Sequence, residues 1–404
     1  MSYEIELGAY KENVDFRSRG EPEPHIRSQN IIFSCEGHRW HIKVTFRGGI
    51  LRGEVPDAFI KAQKKLSIRR QQLRTFIWFI QLECLPLLED TVTEVEFRPT
   101  STGKRLGSKI LPLRSHISKL PPDNGYNQFS GDFYYQIWED PSRVFYPPLT
   151  KAFSVPTTLS SDLKTITEIA PGISRIRIIS DVKEQDYIFK SLDKPNYHPR
   201  DSEALVHEIK NLQLFRHSPF IVQLVSVVGS TNPYYTGRSE AHSSVLRGIL
   251  VEYHPGGTLE EALMAPYARS GWRKWPIQIA CGLQQLHDKN IAHMDLKPSN
   301  IVIKSNNDAV IIDIGGIGFT AEWTAPEARK SGDPISLPWE ARRRNDIWTY
   351  GKLLLRMVQF ECDEEKVRLL HEVIDGTTKK EPNSRTELDF VVARLEQILK
   401  TSIT

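Results

Sequence analysis

The segment His293-Met294-Asp295-Leu296-Lys297-Pro298-Ser299-Asn300 constrains this chain more than any other stretch. Two apolar β-branched runs follow it, IVIKS and then AVIID, the second ending on Asp313. Short runs of that kind read as strands. Asp295 and Asn300 are five residues apart, and Asp313 lies eighteen beyond Asp295. Moving a phosphoryl group from a nucleotide needs metal ligands beside the phosphates and a carboxylate to orient the hydroxyl nucleophile. It also needs positive charge on the departing oxygens. Asn300 and Asp313 offer hard oxygens suited to Mg²⁺. Asp295 can accept a hydroxyl proton, and Lys297 can sit over the transferred phosphate.

A chain of 404 residues has room for two or three domains. With 39% apolar and 25% charged residues it is neither disordered, collagenous nor a disulfide-dense scaffold. The net charge of +3, from 53 basic and 50 acidic residues, is too balanced to imply nucleic acid. Through residue 150 there are 21 basic and 18 acidic residues, and the remainder carries 32 of each. Cys35, Cys84, Cys281 and Cys362 are scattered without a CxxC pair, which reads as free thiols in a reducing compartment. The polar, acidic start lacks a signal peptide's apolar run. The most apolar stretch, 75–88, is broken by Gln81, Glu83 and Pro86, and spanning a bilayer takes about 20 apolar residues. The expectation is a soluble intracellular protein, cytoplasmic or nuclear, with no membrane span and no nucleic-acid partner.

Residues 1–150 read as an α+β module. A β-hairpin is expected over 31–47 around Glu36-Gly37, a helix within 57–85, a strand at 91–98 and a Gly/Ser/Pro-rich loop over 99–132. The run KAQKKLSIRRQQLR reads as a solvated basic face of that helix, with a surface for an anionic partner as the lesser reading. Residues 151–161, rich in Pro, Ser and Thr, read as a linker. Strands are then expected at 163–169, 175–180, 186–191, 221–228 and 247–253, with a helix over 201–215. Helical patterns dominate from 258 onward. A strand-rich lobe (162–252) followed by a helical lobe (256–400) implies two layers with a cleft between them.

The catalytic segment resembles that of the eukaryotic protein kinase family, whose loop reads H-R-D-x-x-x-x-N ahead of a metal-binding D-F-G. The resemblance runs from near 162 to near 400 and rests on several motifs in order. Lys190, in Tyr187-Ile188-Phe189-Lys190, matches the lysine that holds the α/β-phosphates, and Glu208 matches its ion-pair partner. Val251 to Leu259 resembles the hinge, where backbone groups of Glu252 and His254 would bind adenine. Ala325-Pro326-Glu327 matches A-P-E, Asp346 to Gly351 resembles D-x-W-x-x-G, and Arg385 resembles the arginine that pairs with the A-P-E glutamate. Thr320 matches the threonine that bonds the catalytic Asp and Lys in serine/threonine kinases. Leu212, Leu224, His293 and Ile314 match the positions of the regulatory spine.

Five departures accompany these matches. Of the glycine-rich loop, candidate 169–175, only Gly172 remains, and Arg175 adds a side chain that could contact phosphate or fill the loop. Ile188 replaces an alanine over adenine and would narrow that pocket. Met294 replaces the arginine of H-R-D, and the activation segment is very short. Ile314 replaces the Phe of D-F-G and can fill the same apolar position.

The resemblance implies a bilobal α+β kinase fold over 162–404. It also implies a serine/threonine protein kinase using ATP and Mg²⁺ on a protein hydroxyl, while Met294 and the very short activation segment point to activity without activation-loop phosphorylation. Asp295 would be the base, with Lys297 and Thr320 beside it; Asn300 and Asp313 would hold metal. Lys190, Glu208, Gly172, Glu252 and His254 would line the nucleotide site. A binding or scaffold pseudokinase and a small-molecule phosphotransferase are the rival readings. The N-terminal module is a candidate for binding a partner protein.

Overall fold

The computed structural model describes residues 3–16, 18–19, 24–48, 65–100, 103, 105–114, 133–149, 153–182, 184–237, 244–264 and 271–400. Residues 57–64 of the expected helix and most of the 99–132 loop lie outside them. The chain forms two compact units, Met1–Arg143 with Thr231–Ser244, and Val144–Ser230 with Val245–Thr404.

The first unit holds β1 (Tyr3–Glu12), β2 (Ile26–Cys35), β3 (His38–Arg47), α1 (Leu66–Phe79), β4 (Val92–Pro99), β5 (Lys109–Ile110) and β6 (Phe133–Glu139). They form one sheet in the order β1-β2-β3-β4-β6-β5. The expected hairpin is β2–β3, turned by Glu36 (φ 51°) and Gly37 (φ 82°). Two left-handed residues in succession match the right-handed twist of the flanking strands. β3 and β4 run parallel. A parallel pair needs a crossover, and α1 lies within it. Leu73, Phe76 and Ile77 of α1 share a core with Phe33, Val44, Phe46, Val95 and Phe97 of the sheet. Phe76 stacks on Phe97 at 5.0 Å. Alternation puts Lys43, Thr45, Glu94 and Glu96 on the opposite face. There Lys43 meets Glu94 at 3.3 Å and Arg47 meets Glu96 at 2.7 Å. Thr236, from the connection grouped with this unit, donates its N–H to Asp90 at 3.0 Å and accepts the Asp90 N–H at 2.9 Å.

The second unit opens with β7 (Thr157–Leu159), β8 (Leu163–Ala170), β9 (Ile173–Ile178), β10 (Asp186–Ser191), α2 (Pro199–Leu214), β11 (Leu224–Thr231) and β12 (Ser244–Glu252). The sheet order is β7-β11-β12-β10-β9-β8. β7 lies inside the stretch read as a linker. It pairs in parallel with β11, and Val144, Tyr146, Leu149 and Phe153 ahead of it pack on the core. Helix α2 starts earlier than expected because Pro199 fits the first turn and His198 caps it. The His198 N–H bonds the Asp201 carboxylate at 2.7 Å, and His198 Nδ1 accepts from the Arg200 N–H at 3.3 Å. β11 begins three residues after the expected 221, because Ile221 forms an isolated bridge to Ile311 instead.

The helical lobe contains α3 (Leu259–Met264), α4 (Trp275–Asp288), the hairpin β13 (Ile301–Ile303) and β14 (Ala309–Ile311), α5 (Pro326–Arg329), α6 (Trp339–Met357), α7 (Glu364–Thr377) and α8 (Leu388–Lys400). Leu283, Ile347, Tyr350, Leu354 and Leu395 are wholly buried between α4, α6 and α8. Each such side chain contributes about 1.5–3 kcal/mol by leaving water. The Tyr350 hydroxyl bonds the Pro276 carbonyl at 2.9 Å, so its burial leaves no polar atom unpaired. This is a strand-rich lobe followed by a helical lobe, as the sequence implied.

Candidate active site

Side chains on β10 alternate between faces. Tyr187 and Phe189 pack with Ile176, Val228 and Leu250, whereas Ile188 packs against the larger core that includes Leu205, Ile209, Ile249 and Val251 as well as the helical lobe. Lys190 shares the face of Ile188. Its ammonium bonds Glu208 Oε1 of α2 at 2.5 Å and also bonds Asp313. Burial opposes the charge on Lys190, yet the two carboxylates win and hold its proton more tightly than usual. Glu208 is pushed upward, by burial and then by the Asp313 charge, against the pull of Lys190. Asp313 is held below the usual carboxylate range: burial raises it, and Lys190 more than offsets that. Two carboxylates thus share one cation.

Asp313 follows β14 in a left-handed conformation, φ 61°, and Met294 has φ 67°. Residues other than glycine adopt that region rarely, at a cost of about 1–3 kcal/mol each. Specific bonds hold these turns. Asp346, inside α6, accepts the His293 N–H at 2.7 Å and the Met294 N–H at 2.9 Å. Its Oδ2 also lies 3.0 Å from His287 Nε2. His293 Nε2 donates to the Ile312 carbonyl at 2.9 Å, which fixes the strand leading into Asp313. Asn211 of α2 donates to the Ile314 carbonyl at 2.7 Å. Leu212, His293 and Ile314 are buried, and Leu224 is half-buried against the same core.

The Asp295 carboxylate is used on one side only. Oδ2 accepts from Lys297 Nζ at 2.7 Å and from Asn300 Nδ2 at 3.2 Å. Oδ1 is buried and has no hydrogen-bond partner among the described residues. Lys297 Nζ also donates to Thr320 Oγ1 at 2.9 Å. Asn300 Nδ2 bonds the Asp295 carbonyl at 2.8 Å, and its Oδ1 accepts no hydrogen bond among the described residues. Asp295, Lys297, Asn300 and Thr320 therefore form one cluster, and Lys190, Glu208 and Asp313 another.

Glu252 ends β12, and its N–H bonds the Gln223 carbonyl at 3.2 Å. The His254 imidazole is largely enclosed, with Nε2 3.5 Å from Glu252 Oε2 but in no aligned hydrogen bond. Burial, then the nearby Lys304 charge, pushes it down to about 4, so the ring is neutral. Among the described residues the His254 backbone N–H donates to nothing.

The glycine-loop region departs from the six-residue pattern. Ala170 pairs directly with Ile173, so the connection is the two-residue turn Pro171-Gly172. Gly172, at φ +78°, suits the second position of a turn with proline at the first. A Cβ there would come within 2.8 Å of the Lys194 Cβ. Arg175 does not lie in this turn. It sits on β9 opposite Ile188, bonds Asp186 through Nε at 2.6 Å, and stacks 4.4 Å from the Tyr253 ring centroid.

The short activation segment is tied down at several points. Asn345 Oδ1 accepts the Ala325 N–H at 2.8 Å, and Thr349 Oγ1 donates to the Trp323 carbonyl at 2.8 Å. Arg385 and Glu327 form a bidentate ion pair. Met294, in place of the arginine, is wholly buried, with Sδ 4.0 Å from Asn345 Nδ2. Sequence reasoning missed the support given by Asp346, His287, Asn345 and Asn211. A buried aspartate inside a helix was the available signal, since such a group needs a specific partner.

The fold and this constellation define a protein kinase. The family model described as protein kinase domain matches residues 174–386, more than half of the chain. The chain belongs to the protein kinase family. It is similar to mitogen-activated protein kinase kinase kinase 18 of Arabidopsis thaliana, 31% identical over 39% of this chain and 47% of that protein. It is also similar to serine/threonine-protein kinase ATG1a of the same plant, 25% identical over 49% of this chain and 32% of that protein. The chain thus spans less than half the length of these relatives. No helix among the described residues is long and apolar enough to cross a membrane.

Proposed function

We propose that this chain transfers the γ-phosphate of ATP to a serine or threonine hydroxyl of a protein, with Mg²⁺. The observation that carries the reading is the unpartnered, buried Oδ1 of Asp295. A buried acceptor without a partner costs about 1–3 kcal/mol, and an incoming hydroxyl removes that cost. Asp295 would orient that hydroxyl and take its proton, while Lys297 holds the other carboxylate oxygen in place. Thr320 would position Lys297. Lys190 would hold the α/β-phosphates with Glu208 orienting it, and Gly172 would border them. The Glu252 and His254 backbone would take the base.

The residues present suit Mg²⁺. Among the described residues no cluster of three His, Cys, Asp or Glu forms a cage. Asn300 Oδ1 and the Asp313 carboxylate are the protein oxygens on offer. Mg²⁺ is usually held by one or two such ligands, with phosphates and water completing its shell. When bound it would neutralise charge on the phosphate oxygens. The test is turnover on a generic Ser/Thr peptide. Asp295→Asn should lower kcat by at least about a hundredfold, and activity surviving that change would remove the mechanism.

Activity would not require phosphate on the activation segment. Met294 offers no cation to such a phosphate, and Asn345 and Arg385 already anchor the segment. Protein shown by mass spectrometry to carry no phosphate should be fully active. A phosphosite needed for turnover would sink this idea.

A scaffold pseudokinase is favoured by the two-residue turn and by Ile188 and Arg175 facing the cleft. Thermal shift with ATP and Mg²⁺ separates the readings, since a ligand raises Tm only by binding the native state. The first unit is proposed to bind a partner protein. That role fails if deleting it leaves binding and activity unchanged.

A further inference from the structure

Arg175 faces the nucleotide side of the sheet, not its outer face. It pairs with Ile188, which shares a face with Lys190 two residues on. Opposed residues of an antiparallel pair point the same way. From that position the side chain runs toward the hinge. Its guanidinium bonds Asp186, at the far end of the same face of β10, and lies over the ring of Tyr253. Tyr253 stands between Glu252 and His254. The latch is anchored further, because Asp186 also accepts from Arg177 Nε at 2.6 Å and is itself only 11% exposed. The Arg175 stem therefore crosses the roof beneath which a base facing the hinge would stack, and Ile188 adds bulk beside it.

We propose that Arg175, latched to Asp186 and Tyr253, is a gate on the base pocket: it must leave Tyr253 before a purine can stack, and so it holds nucleotide affinity low. This rests on reading Glu252 and His254 as the base-binding hinge. The cost is that of breaking one partly exposed ion pair and one cation–π contact, which together correspond to about tenfold in affinity. Two consequences follow. Shortening Arg175 should tighten binding of the purine nucleotide, because the roof opens. Removing Tyr253's ring should do the same in smaller measure, because the guanidinium loses its seat.

The test is equilibrium binding of a fluorescent ATP analogue, with Mg²⁺, to the full chain and to Arg175→Val, Arg175→Lys and Tyr253→Ala. Melting without nucleotide checks that each variant is folded. The expected result is about tenfold tighter binding by Arg175→Val, with Tyr253→Ala between it and wild type. Arg175→Lys keeps a cation but loses the planar fork, and should also tighten binding. Unchanged or weaker binding by folded Arg175→Val, with wild type binding, overturns the gate and leaves the kinase reading standing. Absence of binding by every variant at millimolar analogue overturns both.

Discussion

Arg385 and Glu327 meet across fifty-eight residues through two parallel hydrogen bonds of 2.6 and 3.0 Å. The arginine side chain is fully enclosed, whereas the glutamate is 37% exposed. Arg385 also donates to the Arg344 carbonyl at 2.9 Å and the Lys379 carbonyl at 3.0 Å. It therefore joins α5, α6 and the loop before α8. Arg385→Ala removes a donor from the buried Arg344 carbonyl and another from the more exposed Lys379 carbonyl, and leaves a carboxylate without its cation. The expected loss is about 3 kcal/mol in urea unfolding. Glu327→Gln, on the wetter side, should lose about 1 kcal/mol. Equal losses would contradict this asymmetry.

Asp346 carries the turn that presents Asp295. Both its oxygens are used, on the N–H groups of His293 and Met294, and Met294 holds an unfavourable φ. Asp346→Asn turns one acceptor into a donor facing a donor. Stability should fall by about 2 kcal/mol. Peptide phosphorylation should fall by more than tenfold in kcat, with KM for ATP little changed, because the hinge and Lys190 are untouched. A change confined to KM would point to a different role.

The grouping of the candidate site residues was legible because polar residues at fixed intervals need no knowledge of the loops between them. Lys190 and Glu208 meet as their order in the chain implied. The orientation of Arg175 was not legible, because it depends on turn length. A six-residue loop places Arg175 at the phosphate end, whereas the two-residue turn Pro171-Gly172 moves it onto the ladder opposite Ile188. Thr157–Leu159 is a strand although its surroundings read as linker, because its partner β11 lies about seventy residues away and parallel pairing leaves no local turn signal. The bond between Thr236 and Asp90 spans 146 residues and has no signature in either segment. The helical lobe was easier, since its apolar spacing is local.

His254 makes stability depend on pH. Its folded value of about 4 lies below the ordinary 6.5. The unfolded chain therefore binds the proton more readily between those values, and stability rises with pH across that window. The contribution is complete above about pH 6.5 and is lost as the pH falls toward 4, by about 2–3 kcal/mol in all. Glu361 and Asp308, held low by burial-opposed bonds to Arg273 and Lys274, weaken the fold in acid as well. The useful quantity is therefore the difference between wild type and His254→Gln. Urea midpoints at pH 7.5 and 5 should drop less in the variant. Parallel drops would show that the imidazole is not protected by the fold.

Gly248 lies on β12 beside β10, where a Cβ would stand 2.1 Å from the Lys190 carbonyl oxygen and 2.6 Å from the Phe189 ring. The first of these is backbone and cannot turn aside. Gly248→Ala must therefore push β12 and β10 apart or bend one of them. Overpacking of this kind costs about 1–3 kcal/mol. The strand that moves is the one that aims Lys190 at Glu208 and Asp313, so the effect reaches the site. A displacement of about 1 Å can cost about a hundredfold in rate. The variant should lose kcat/KM well beyond what its fraction unfolded explains, and ATP should raise its Tm less than that of wild type. If activity falls only in step with the folded fraction, the tight contact at Gly248 matters for packing and not for the placement of Lys190.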